Sequence, residues 1–242
     1  MKKIVMTMAL LLTANSYAVP PAKYIAGVRD ATEAEKNEIV TNLDALDPSN
    51  TTLVWNADKT LIKVVTWKSQ GSFDKYLKPY TQTSDSEANV VWVSLAPKTQ
   101  EFCRNYLQKH HNATKEQVDL RLKQRLGLNS DWSYDVFVEL WVNPSDLFRP
   151  CVDPAPNDSS CELNFGDTIP TVKNIKDYKV FYQNLYYKSF REAPGVPWTG
   201  LGYTYDWKDI KHEQGASEFI LSPSSPYTID RVLPTMEYCT AQ

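Results

Sequence analysis

From residue 136 the chain reads Val-Phe-Val-Glu-Leu-Trp-Val, a β-branched and aromatic run that stops at Asn143-Pro144, and this predicts a strand over 136–142. Similar runs at 90–95, 201–205, 217–221 and 227–232 predict four more. Thr52 to Trp55 and Thr60 to Trp67, joined by Asn56, Ala57, Asp58 and Lys59, predict an antiparallel hairpin. Helical spacing marks other stretches. Thr32 and Glu35 have the form of a capping box, and Ile39, Val40, Leu43 and Leu46 follow at intervals of one, three and three until Asp47-Pro48. Residues 98–110 read as a second helix. Thr114 and Gln117 form another box ahead of Val118, Leu120, Leu122 and Leu126, with Gly127 placed to end that helix in the left-handed conformation. Tyr178, Phe181, Tyr182, Leu185 and Tyr186 predict an aromatic-faced helix over 175–190, whereas 143–170 has no regular pattern. Strands come in adjacent pairs, with no steady strand-helix-strand alternation. The expected fold class is therefore α+β, a mostly antiparallel sheet with helices packed on one side.

The first residues have another character. Lys2 and Lys3 precede an apolar run from Ile4 to Ala14, followed by Asn15, Ser16, Tyr17 and Ala18 in a small-x-small arrangement. The run is roughly half the ~20 residues needed to cross a bilayer, so residues 1–18 read as a secretory signal peptide and 19–242 as a single mature domain. The expected location is the periplasm or the cell exterior. All four cysteines lie beyond that segment, and an even number in an oxidising space predicts disulfides. Cys151 and Cys161 bracket a Pro- and Ser-rich loop and are paired, which leaves Cys103 with Cys239. The competing idea, a nucleophilic Cys103 with His110 or His111 as base, leaves an odd partner.

Composition narrows the chemistry. In 242 residues the formal charge is -3, and Lys and Arg are scattered, so nothing neutralises a run of phosphates and nucleic acid is not an expected partner. No later segment is long and apolar enough for an integral membrane span. His212-Glu213 begins like a zinc-protease helix but meets Ala216 where the second His belongs. Gly215-Ala216-Ser217-Glu218-Phe219 lacks the second Gly of a nucleophile turn, and Gly200-Leu201-Gly202 lacks the third Gly of a dinucleotide loop. Only three His are present, two of them adjacent, so no metal site and no cofactor are expected.

Two segments retain candidate chemistry. In 139–153 a strand runs into a Pro-bounded loop where Glu139, Asp146, Arg149 and Asp153 are expected at one strand end. One reading is a pocket in which Arg149 holds an anionic group and a carboxylate acts as acid or base. The other is a structural latch of Arg149 on an Asp. In 197–207, Trp198, Tyr203, Tyr205 and Trp207 form a ligand-binding platform if exposed. The last three also have the period-two spacing of one buried strand face, which would leave Asp206 exposed.

At these segments the chain resembles an uncharacterised group of exported bacterial proteins. The likeness is carried by Glu139 to Val142, the Leu-Phe-Arg-Pro-Cys-x-Asp loop at Leu147 to Asp153, the stretch Pro197 to Trp207, the Leu53-Val54-Trp55-Asn56 turn and Cys239. It implies a shared fold and export, and supplies no catalytic residue. The expected function is a non-catalytic binding module for a polar ligand or a protein partner. The alternative is a metal-independent hydrolase, with glycan as one substrate class, using Glu139 with Asp146 or Asp153.

Overall fold

A computed structural model describes residues 21–193 and 195–241; the expected signal peptide lies outside them. The chain folds as α+β around one curled antiparallel sheet. Its strands are β1 (Ile62–Lys68), β2 (Val91–Leu95), β3 (Val136–Val142), β4 (Leu147–Phe148), β5 (Tyr203–Tyr205), β6 (Gln214–Leu221) and β7 (Tyr227–Pro234). Their order is β4-β6-β2-β1-β3-β7, with β5 also pairing β6. The helices are α1 (Ala22–Asp30), α2 (Gln70–Tyr76), α3 (Ala96–Lys109), α4 (Lys115–Arg125), α5 (Tyr178–Arg191) and α6 (Thr235–Thr240).

Alternation along the strands gives the sheet two unlike faces. One carries Val64, Val93, Leu95, Val138, Leu140 and Phe219, covered by Phe73 of α2, by Leu77 and by the irregular segment that holds Leu46 and Leu53. The other carries Val65, Trp67 and Phe137 beneath α3, α4 and α6, and Trp92 and Ile220 beneath α5. Across this second face one transverse row reads Glu218, Ser94, Val65, Glu139, Arg231, each residue directly opposite the next.

The strand over 136–142 forms where the pattern puts it, as does the box that opens α4, in which Thr114 and Gln117 satisfy each other's backbone N–H groups. Gly127 takes φ +66°, and the paired bonds Gly127 N–H to Gln124 O and Leu128 N–H to Lys123 O close α4 in a Schellman motif. The two disulfides are Cys103–Cys239 and Cys151–Cys161, which is consistent with an oxidising environment. No helix among the described residues is long and apolar enough to cross a membrane.

Local expectation fails where apolar residues serve different clusters. No helix forms over 32–46. Thr32 donates its hydroxyl to Val28 O, closing α1, and the capping box found there joins Glu35 to Glu38 around a single 3-10 turn. Leu43 then packs on the Cys151–Cys161 loop while Leu46 enters the main core, so the helical spacing was coincidental. The expected strand at 52–55 survives only as the bridge Trp55–Ile62. Pro97 does not merely end β2; it occupies the first turn of α3, where a missing N–H costs nothing. Neither α2 nor α6 was expected, both being short.

Candidate binding site

The acids singled out in the sequence each have a separate partner. Glu139 lies in the sheet row and accepts two bonds from Arg231, at 2.7 and 2.8 Å, with Lys63 at 3.5 Å. Asp146 is held by Lys173. Asp153 accepts the Glu162 N–H at 3.1 Å, and burial pushes its carboxyl above the usual range. A cavity of about 540 Å³ does lie beside this loop, lined in part by Asp153, Glu162 and Lys173. Asp153 and Lys173 already have these partners, and Glu162 is exposed.

Arg149 is wholly buried. Its Nη2 donates to Asp44 O at 2.9 Å and Asp158 O at 2.6 Å, Nε stands 3.5 Å from an Asp158 carboxylate oxygen, and the guanidinium lies over Phe219 at 4.9 Å. It thereby ties the 39–47 segment to the disulfide loop. Replacing it with Met removes the donor shared by these two carbonyls and the charge facing Asp158, and Arg149→Met is expected to lose about 2–4 kcal/mol in urea unfolding. An unchanged midpoint would mean that the latch carries no load.

The aromatic row is not a surface platform. Tyr203 donates to Glu38 O at 2.9 Å, Tyr205 to the Asp30 carboxylate at 2.6 Å and Trp207 to Leu128 O at 3.0 Å, all three rings being buried. Asp206, expected outside, is buried as well and bound by both Nη atoms of Arg121 at 3.0 and 2.6 Å. Strand alternation separates two faces, and here both are covered, by α1 and by α4. Trp198 is buried too, but lines an internal space.

That space opens where the sheet forks. β1 follows β3 along its whole length, from Ile62–Val142 to Lys68–Val136, whereas it pairs β2 only at Val64–Leu95 and Val65–Ser94. Beyond Val65 and Ser94 the two strands part, and β2 continues against β6. The gap forms one side of a cavity of about 370 Å³, with Thr66, Trp67 and Lys68 on one prong and Trp92 and Val93 on the other. The Schellman turn sets Leu126, Gly127 and Leu128 against it; Trp132 and Tyr134, Leu185 and Lys188 of α5, and Trp198 and Tyr205 complete the wall. Apolar surface dominates, as in most small-molecule sites, and the volume lies within their usual range of roughly 300–1,000 Å³. The exposed Trp132 and Lys188 lie at its rim.

One side chain in this wall is out of keeping with it. Glu218 sits at the fork opposite Ser94, is only 6% exposed, and its Oε1 has no hydrogen-bond partner among the described residues. The Ser94 hydroxyl is already joined to that of Thr99 at 2.7 Å. Desolvation alone pushes the Glu218 carboxyl up to about 8. Half-buried Lys68 has its ammonium pKa lowered by the same cause. The Trp198 indole N–H is likewise buried without an acceptor among the described residues.

Sequence reasoning missed Glu218. It stands in a predicted strand as an ordinary polar position, and only its cross-strand neighbours and the cover from α4 and α5 reveal the burial. Family models, curated protein sequences and solved structures give no match to this chain.

Proposed function

We propose that this chain is an exported binding module whose ligand is a small molecule held in the fork between β1 and β2. The observation that carries the reading is Glu218. A carboxyl buried without a partner costs several kcal/mol unless something completes it, and folded proteins rarely keep such a group idle. Here it faces a ring-lined space of ligand size. The unpaired Trp198 N–H supports the same reading, since a ligand with both a donor and an acceptor would satisfy the two groups together. The two disulfides suit a secreted or periplasmic setting, and membership of the exported bacterial group belongs to the same proposal.

The carboxylate-pair hydrolase has no geometric support of this kind, because Glu139, Asp146 and Asp153 each have separate partners.

The test is a thermal-shift screen of small aromatic and alkyl amines, alcohols and amides against the full mature chain. A binder at a hundred times its Kd adds about 2.7 kcal/mol, enough to raise Tm visibly. Ser189 of α5 lines the cavity, and Ser189→Trp fills it. Hits are expected on the parent protein and lost in folded Ser189→Trp. No hit on the parent, or hits that survive the filled cavity, would end the reading.

A further inference from the structure

Resting on that reading, we propose that the ligand is a small organic ammonium ion, its charged nitrogen on Glu218 and its apolar body against the rings of the fork. The argument comes from a contrast within one row of the sheet. Glu218 and Glu139 lie on the same face, separated by Ser94 and Val65, and both are buried. Glu139 is completed by two cations of the chain itself, Arg231 at 2.7 Å and Lys63 at 3.5 Å. Glu218 has no cation within ion-pair distance among the described residues, and its Oε1 receives no hydrogen bond from them. The same carboxylate chemistry, in the same layer, is finished at one end by protein and left open at the other where the cavity begins.

The surrounding rings point the same way. Trp92, Trp132 and Trp198 line the space, and aromatic surface attracts a cation, most of all one with little water around it, whereas Trp67 and Tyr134, which also line it, are stacked on each other. An anion would leave Glu218 protonated and supply it no counter-charge.

The other titratable groups in the wall limit the ligand further. Lys68 comes from β1, Lys188 from α5, Tyr134 from the segment before β3 and Tyr205 from β5; β2 and the 126–128 turn contribute none. Burial keeps both phenols protonated, and Tyr205 is in addition bonded to Asp30. The two lysines repel a second positive charge, so the fitting ligand carries one ammonium on a body that is apolar except for an acceptor within reach of the Trp198 indole N–H. Because Glu218 holds its proton to about pH 8 in the empty cavity, an arriving cation must drive that proton off. Binding therefore releases close to one proton at neutral pH and strengthens as pH rises from 6 towards 8.

The experiment is calorimetric titration of the full mature chain with benzylammonium, and with benzyl alcohol as its neutral counterpart, in two buffers of different ionisation enthalpy. Benzylammonium is expected to bind at least tenfold tighter, with about one proton released per site, and Glu218→Gln to abolish both the preference and the release. The proton count needs no variant, so it stands even if Glu218→Gln folds poorly. Equal or tighter binding of benzyl alcohol overturns the ammonium assignment and leaves the binding cavity in place. A preference that persists in Glu218→Gln overturns the role of this carboxyl. Failure of both probes to bind the parent chain overturns the assignment as well, and the wider screen then decides whether the cavity binds anything.

Discussion

Removing the bridge between Cys103 and Cys239 is expected to cost about 5 kcal/mol, close to the whole stability of many folded chains. The two cysteines are 136 residues apart, so the bond closes a loop of more than half the chain and excludes a large share of the unfolded ensemble. Native contacts at the same place do not replace it. The bond holds α6, only six residues long, against α3. Besides its continuation from β7, which pairs with β3, α6 is held by a few side chains: Tyr238 donates to Ala96 O at 2.7 Å and stacks on Phe137, and Gln100 reaches Tyr238 O at 2.9 Å. A helix this short has little stability of its own. Without the covalent tie these bonds must form against the full freedom of the tail. The comparison that isolates the effect is Cys151→Ala/Cys161→Ala, whose loop of ten residues predicts just under ~3 kcal/mol. Urea unfolding of the two double variants should rank them in that order. A tail variant that loses no more than the loop variant would refute the closure argument.

The second large effect is a dependence of stability on pH that runs opposite to ordinary acid denaturation. Glu218 holds its proton to about pH 8 in the folded protein and gives it up near 4.5 when the chain unfolds. Between those values the native state binds more protons than the unfolded one. Stability contributed by this group is therefore full below pH 4.5, falls as pH rises, and levels off above 8. At 1.36 kcal/mol per pH unit the loss over the window is of the order of 4 kcal/mol. Glu38 and Asp153, whose carboxyls burial also raises, bend the curve in the same direction, and Asp230, held low by Lys63 and Trp141 despite its partial burial, opposes them at lower pH. Subtracting the curve of Glu218→Gln removes these common terms. The difference should fall between pH 5 and 8, with the amide variant the more stable at alkaline pH. A flat difference would place the carboxyl in contact with water.

That same carboxyl shows where sequence reading stops. The strand over 217–221 is visible in the sequence, and so is the alternation that puts Glu218 and Ile220 on one face. A lone Glu in such a pattern ordinarily marks the wet face. In this sheet the face is dry, because the turn that ends α4 and the side of α5 both pack over it, and those elements precede residue 218 by about ninety and about thirty residues, so neither packing is written near it. Asp206 was missed for the same reason. The period of two at 203–207 marked a buried face correctly, and the opposite side proved to be covered as well.

What the amino-acid sequence determined by itself is local and covalent. The strand over 136–142, the Thr114 capping box, the left-handed Gly127 and the two cysteine pairings were all legible because their causes lie within a few residues, or in the small number of ways four thiols can combine. Tertiary structure alone decided that the apolar residues of 39–46 divide between two clusters instead of forming a helix, and that β1 and β2 part beyond Ser94. It also decided that Arg231 reaches Glu139 while, among the described residues, no cation reaches Glu218. Those outcomes depend on which distant surfaces compete for the same neighbours, and a pattern along one chain records the period of a face without naming what will cover it.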